Sequence, residues 1–228
     1  MEEVLIVSVK LICFSQPTAD FFNETGMTTL EELTAYFARV SNPSNQLNTQ
    51  TAGKLIRYLI DNQHWSPLEM THATLEINTT RDIARQILRH RSFSFQEFSQ
   101  RYADPTEMKF SLREARLQDT TNRQNSIETD DPELTKIWNN FQEIVMSEAR
   151  VAYNWAVRNG IAKEQARAVL PEGMTHSRMY MSGSLRSWVH YCQLRTANGT
   201  QREHMEIAHK CVMALEPVFP LIKELVKE

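Results

Sequence analysis

Residues 70–102 read MTHATLEINTTRDIARQILRHRSFSFQEFSQRY, and the pattern changes twice within them. His72, Thr74, Glu76 and Asn78 alternate with Thr71, Ala73, Leu75, Ile77 and Thr79, the period-two signal of a strand with one buried face. Thr79 or Thr80 then caps a helix from Arg81 onward, whose Ile83, Ala84, Ile87 and Leu88 face the core. The remainder, Arg89 to Tyr102, holds Arg89, Arg91, Arg101, His90, Ser92, Ser94, Ser99 and the lone carboxylate Glu97. Phe93, Phe95 and Phe98 interrupt these donors and call for burial, so the segment reads as a half-buried loop and a pocket wall. A strand running into a helix and then into such a loop requires a fold of mixed α and β elements.

On the helix, Arg81, Arg85 and Arg89 lie four apart and form a cationic stripe, while Gln86 and Arg89, three apart, reach a common ligand. Cations at a helix C-terminus also complement the dipole. One arginine would satisfy that role, and the run Arg89-His90-Arg91 followed by serines exceeds it.

Toward the N-terminus, His64-Trp65-Ser66-Pro67-Leu68-Glu69 is a proline-held turn. Leu55, Ile56, Leu59 and Ile60 mark an amphipathic helix over 51–62. Leu30, Leu33, Phe37 and Val40 mark another after Thr28 and Thr29, stopping near Ser41 because of Pro43. Residues 2–14 read as a strand. Toward the C-terminus, residues 113–131 lack periodicity and read as an exposed, mobile excursion. Pro132 opens a long helix to Asn159-Gly160, and a short helix, AKEQARAVL, stops at Pro171. In it Arg167 either pairs with Glu164 or points into a site. A strand over 174–182, a helix over 184–195 and a last helix over 201–227, broken or bent by Pro217 and Pro220, complete the chain.

The 228 residues contain no Gly/Ser-rich or Pro-rich linker, which favours one domain over 1–228. No apolar run has membrane-spanning length, and Glu2 and Glu3 argue against a signal peptide, so a cytoplasmic protein is expected. Cys13, Cys192 and Cys211 form no metal-binding or disulfide pattern. With a net charge of -3, any anion recognition must be local.

Both common backbone cradles for phosphate, GxGxxG and GxxxxGK[ST], are absent, and only six glycines occur. No histidine spacing suits a metal; His204 and His209, five apart, point to different helix faces. No cysteine has surroundings that would activate a thiolate, and Ser99 suits a hydrogen-bond donor better than a nucleophile. What remains is an arginine and serine pocket for a phosphorylated, planar ligand.

Arg89-His90-Arg91, seven residues, Ser99 and Arg101-Tyr102 together resemble the hallmark motif of flavin-dependent thymidylate synthases. His64 with Ser66-Pro67-Leu68-Glu69 is similar to that family's His-x-Thr/Ser-Pro-x-Glu turn, and EQARAVLP and HYCQLR to two further family segments. The resemblance implies an α+β fold with a central, mostly antiparallel sheet flanked by helices. It also implies synthesis of dTMP from dUMP, with 5,10-methylenetetrahydrofolate as carbon donor and FAD reduced by NADPH. Ser66, Glu69, Arg89, His90, Arg91, Gln96 and His190 match flavin-site positions. Gln86, Arg89, Glu97, Ser99, Arg101, Arg167 and Arg195 match the dUMP site, with Arg195 placed to polarise the pyrimidine. Gln96 stands where the family commonly has asparagine, and Ser66 where it commonly has threonine. The family uses no enzymic nucleophile and no metal, and it is a homotetramer whose sites combine several subunits; nucleic acid and membrane are not among the implied partners. The alternative is a non-catalytic nucleotide- or single-stranded RNA-binding module with Phe93, Phe95 and Phe98 as stacking platforms.

Overall fold

The alternation at 72–80 becomes strand β2 (His72–Thr80), with Ala73, Leu75, Ile77 and Thr79 buried. The computed structural model describes residues 7–102 and 110–226. Strand β1 (Ser8–Phe14) pairs antiparallel with β2, with a register shift between Leu11 and Cys13. On the other side of β2 lies β6 (His176–Ser184), and beyond it β3 (Ser94–Glu97). Each of these pairs is antiparallel, so the expected α+β class and antiparallel sheet are observed.

Helices α1 (Ala19–Thr25), α2 (Leu30–Ala38) and α3 (Ala52–Asp61) lie between the first two strands. The first is one the sequence reading passed over: Thr18 caps it, Gly26 ends it at φ 70, and none of its residues is buried. In α2 the Thr29 hydroxyl accepts from the Glu32 backbone while the Glu32 carboxylate accepts from the Thr29 backbone, a reciprocal cap.

Helix α4 (Arg81–Ile87) leaves β2 without a loop. Thr80 occupies the cap position, yet its hydroxyl makes no cap bond; it donates to Asp82 at 2.5 Å and accepts from Arg113. Helix α7 (Leu185–Arg195) leaves β6 in the same manner, with Ser184 accepting from the Ser187 backbone at 3.3 Å. Because β2 and β6 are antiparallel, with His72 opposite Ser184 and Thr80 opposite His176, the two helices start from opposite ends of the pair. Helices α4, α7 and α8 (Arg202–Leu215) cover the buried face, where Leu75, Ile77, Met179, Met181 and Trp188 are fully enclosed. Trp188 Nε1 donates to the Ala73 carbonyl at 3.0 Å and ties α7 to β2. Proline at 217 and 220 ends the last long helix early; among the described residues only α9 (Ile222–Leu225) follows it.

Residues 113–131 differ from the expected excursion. Arg116–Gln118 (β4) and Ser126–Glu128 (β5) form an antiparallel ribbon. Two three-residue strands are too short to show a period, and the ribbon is held by side chains instead. Gln142 accepts from the Arg113 backbone N–H at 2.7 Å and donates to its carbonyl at 3.0 Å, while Trp138 donates to that carbonyl at 2.9 Å. Arg113 and Arg116 both pair with Glu203 of α8. Residues 103–109, before the ribbon, lie outside the described residues.

Gln142 and Trp138 belong to α5 (Pro132–Arg158), which starts at Pro132 as expected, with Asp131 as its cap. It buries Met146, Tyr153 and Ala156 in a second cluster with α6 (Lys163–Ala166) and leaves Ile137, Phe141, Ile144 and Trp155 exposed.

Candidate functional site

Three backbone bonds turn the chain after α4: Arg89 N–H to Gln86, His90 N–H to Ile87 and Phe93 N–H to His90. Phe93 anchors this turn in the core, edge-on to Trp188 with centroids 4.8 Å apart. Its ring lies against Gly183 so closely that a Cβ there would fall 2.5 Å from Cδ1. Beyond Phe93 the chain is not a loop, as the sequence suggested, but the edge strand β3. Its Ser94 and Gln96 are exposed, and Phe95 and Glu97 half-buried. With Phe93 buried and Phe95 packed on the core, the phenylalanines are structural, which removes the stacking platforms of an RNA-binding module.

The two ends of the Arg89-His90-Arg91 run behave differently from its middle. Arg89 and Arg91 are exposed, and among the described residues neither guanidinium has an ion pair or hydrogen bond. His90 is turned inward, where its Nε2 accepts from Nε of Arg195 at 2.9 Å. Burial, with the Arg195 charge second, lowers the His90 pKa to about 4. The imidazole is therefore neutral at pH 7, with its proton on Nδ1.

Gln86 lies one turn earlier. Its Oε1 is 3.2 Å from Nδ1 of His204, and its Nε2 donates to Gln201 at 2.7 Å. His204 is fully buried, and its Nε2 is 3.2 Å from the Tyr191 hydroxyl. Burial, then the nearby Arg195 and His90, lowers its pKa to about 3. The cationic stripe expected on α4 is consumed in part: Arg81 is buried 3.5 Å from Glu97, and Arg85 forms a two-pronged pair with Glu172. Only Arg89 of the three stays uncommitted.

Glu97 also accepts from the Ser177 hydroxyl at 2.7 Å. Ser99 is half-buried and accepts from the Arg101 backbone at 3.3 Å. The exposed Arg101 sits 3.7 Å from Glu164. The half-buried Arg167 donates to the Glu164 backbone carbonyl at 3.3 Å, so of the two roles open for it the carboxylate pair is not the one formed.

A separate group forms at the turn Ser66–Glu69. Glu69 accepts from Arg186 at 2.7 Å and from Ser184 at 3.0 Å, and the Arg186 bond foremost holds its carboxyl below the ordinary range. His190 lies against Trp65, ring centroids 4.4 Å apart, and burial lowers its pKa. Ser66 is exposed. Hydroxyls connect this turn to the motif: Ser184 Oγ is 3.3 Å from Ser187 Oγ, which donates to the Ser92 carbonyl at 3.1 Å.

The fold thus joins His90, Arg195 and Gln86 in one centre, places Glu97 on the adjacent edge strand, and keeps Ser66, Glu69 and His190 in a second centre linked through serines. Sequence reading missed Ser177, Arg186, Tyr191, Gln201 and His204. His204 had a signal, since it shares the core face of α8 with Ile207, Ala208 and Cys211. Burial pushes the Cys192 and Cys211 thiols up, away from thiolate chemistry. Among the described residues, no helix is long and apolar enough to cross a membrane and no cluster of His, Cys, Asp or Glu suits a metal.

A family model described as thymidylate synthase complementing protein matches residues 25–221. A probable flavin-dependent thymidylate synthase of Paramecium bursaria Chlorella virus 1 is 48% identical over 216 residues, covering 95% of this chain and 97% of that protein. A flavin-dependent thymidylate synthase of Synechocystis sp. is 51% identical over 178 residues, 78% of this chain and 80% of its own length. The crystal structure of a UMP/dUMP methylase, PolB from Streptomyces cacaoi, superposes with a TM-score of 0.79 over 99% of this chain and 94% of that one. At 24% identity that likeness establishes the fold.

Proposed function

Because the chain belongs to the flavin-dependent thymidylate synthase family, its activity is thymidylate synthesis with a flavin, and we propose the complete reaction and the residues that serve it. dUMP receives the methylene of 5,10-methylenetetrahydrofolate, a hydride equivalent that originates from NADPH, and one proton from solvent. The products are dTMP, tetrahydrofolate and NADP+.

The bond from Arg195 to His90 carries this reading, because it seats a substrate-site cation directly on a flavin-site imidazole. A pyrophosphate-containing cofactor needs cations that are not already neutralised, and the uncommitted, exposed Arg89 and Arg91 fit that need. Bound FAD supplies the hydride transfer that no side chain can perform. Ser66, Glu69, Arg89, His90, Arg91, Gln96 and His190 hold it. Gln96, exposed on β3, has the reach for a flavin contact.

Gln86, Arg89, Glu97, Ser99, Arg101, Arg167 and Arg195 bind dUMP. The Arg195 Nε is engaged by His90, which leaves its terminal nitrogens to polarise a pyrimidine carbonyl as negative charge builds on the ring. Glu97, fixed by Ser177 and Arg81, offers an acceptor of set orientation. No protein nucleophile takes part.

The enzyme works in the cytoplasm as a homotetramer of single-domain subunits. The apolar side chains that α5 exposes, among them Phe141 at 58% and Trp155 at 61%, support self-association. The test is an assay of dTMP from dUMP with FAD, NADPH and the methylene donor. Formation that requires all three supports the reaction as written, and formation without flavin would refute it.

A further inference from the structure

Side-chain hydrogen bonds run without a break from the interior of α7 to the ribbon-facing end of α8. The Tyr191 hydroxyl lies 3.2 Å from His204 Nε2, and His204 Nδ1 lies 3.2 Å from Gln86 Oε1. Gln86 Nε2 donates to Gln201 Oε1 at 2.7 Å, and Gln201 Nε2 donates to Glu203 at 2.9 Å. Arg113 and Arg116 anchor Glu203.

The chemistry of the members sets one direction for the whole chain. Glu203 stays ionised: burial raises its pKa, but its backbone N–H, the two arginines and Gln201 together outweigh that and hold it low. A carboxylate only accepts, so Gln201 must present its NH2 to Glu203 and its oxygen to Gln86. Gln86 must then present its own NH2 to Gln201 and its oxygen to His204. A neutral imidazole that donates from Nδ1 accepts at Nε2, and the Tyr191 hydroxyl, kept protonated by burial, supplies that donor. The Gln86 amide is thereby held in one of its two orientations, with one N–H and one lone pair left for a ligand.

We propose that His204 is a positioning residue for Gln86: it donates from Nδ1 to the Gln86 carbonyl and so fixes the amide that meets dUMP. The inference rests on Gln86 belonging to the dUMP site. His204 touches no substrate, and it acts through Gln86 alone.

The test is a double-mutant cycle on the FAD-loaded enzyme, with dUMP affinity measured by calorimetry and by KM. Gln86→Leu weakens dUMP binding about tenfold, and His204→Leu does so by about fivefold, through the loss of a fixed polar contact. His204→Leu in the Gln86→Leu background adds less than about twofold, because the group it positions is gone. His204→Asn, whose Nδ2 takes the place of the imidazole Nδ1, recovers affinity to within about twofold of wild type. FAD content and kcat stay near wild type in His204→Asn. Full additivity in the double variant overturns the inference while leaving Gln86 in the dUMP site. So does His204→Asn as weak as His204→Leu. Unchanged dUMP affinity in Gln86→Leu removes Gln86 from the site, and the role of His204 with it.

Discussion

Arg195 donates from Nε to Nε2 of His90 at 2.9 Å, across 105 residues of chain. The contact fixes two properties together. It assigns the His90 tautomer, and it aims the far edge of the guanidinium away from the imidazole. Replacing Arg195 by Ala should lower kcat about 100-fold or more, the scale for losing a preorganised donor at developing negative charge. Flavin content should remain, since Arg89 and Arg91 are untouched. Turnover together with the visible absorbance of the purified variant checks both expectations.

His90 and His204 give the fold an acid sensitivity. Their folded pKa values, about 4 and about 3, lie below the ordinary 6.5. Between these limits the unfolded chain binds protons that the folded chain does not, so stability rises with pH there and is lost as pH falls below about 6.5. Melting temperature should therefore drop steadily from pH 6.5 to 4.5, and His204→Asn should flatten the slope. An unchanged slope in that variant would show that other groups dominate.

Gly183 marks where Phe93 presses on β6. A Cβ 2.5 Å from the ring cannot be accommodated without movement of the turn. Gly183→Ala is expected to cost about 1–3 kcal/mol through overpacking. Phe93→Leu in the same chain should restore part of the loss, measurable by urea denaturation.

Arg81 and Glu97 are both poorly exposed, at 8% and 18% of their side chains. Removing the cation leaves a carboxylate short of a partner in a partly dry setting. Arg81→Met should destabilise by about 3 kcal/mol and weaken dUMP binding, because Glu97 loses its fixed orientation. A variant as stable as wild type would show that Ser177 alone suffices to hold Glu97.

The apolar side of α5 should disappear into the assembly. Phe141→Glu with Trp155→Glu is expected to yield a smaller species by light scattering, with dTMP synthesis lost. Retention of the wild-type mass would place the subunit contacts elsewhere.

Much of this was legible in the sequence. Strand β2 and helix α4 announce themselves because each keeps its period long enough to register. The arginine-rich motif and the Ser66–Glu69 turn are carried by residue types at fixed spacing. Strand β3 was hidden because its four residues, Ser94 to Glu97, sit inside a run whose charge suggested a loop. The β4–β5 ribbon was hidden because its strands are three residues long and side chains from α5 and α8 hold it. The partnership of His204 with Gln86 spans 118 residues, a distance that periodicity does not see. The same limit applies to the bond between Arg195 and His90. Sequence marks which residues carry chemistry, and tertiary packing decides which of them meet.

Whether a flavin carries the chemistry can be read from the visible absorption spectrum of the purified protein, followed through one reaction cycle. The protein should be yellow, bleach with NADPH and regain colour as dUMP and 5,10-methylenetetrahydrofolate are converted to dTMP. A colourless protein that takes up no added FAD would contradict that role of the flavin.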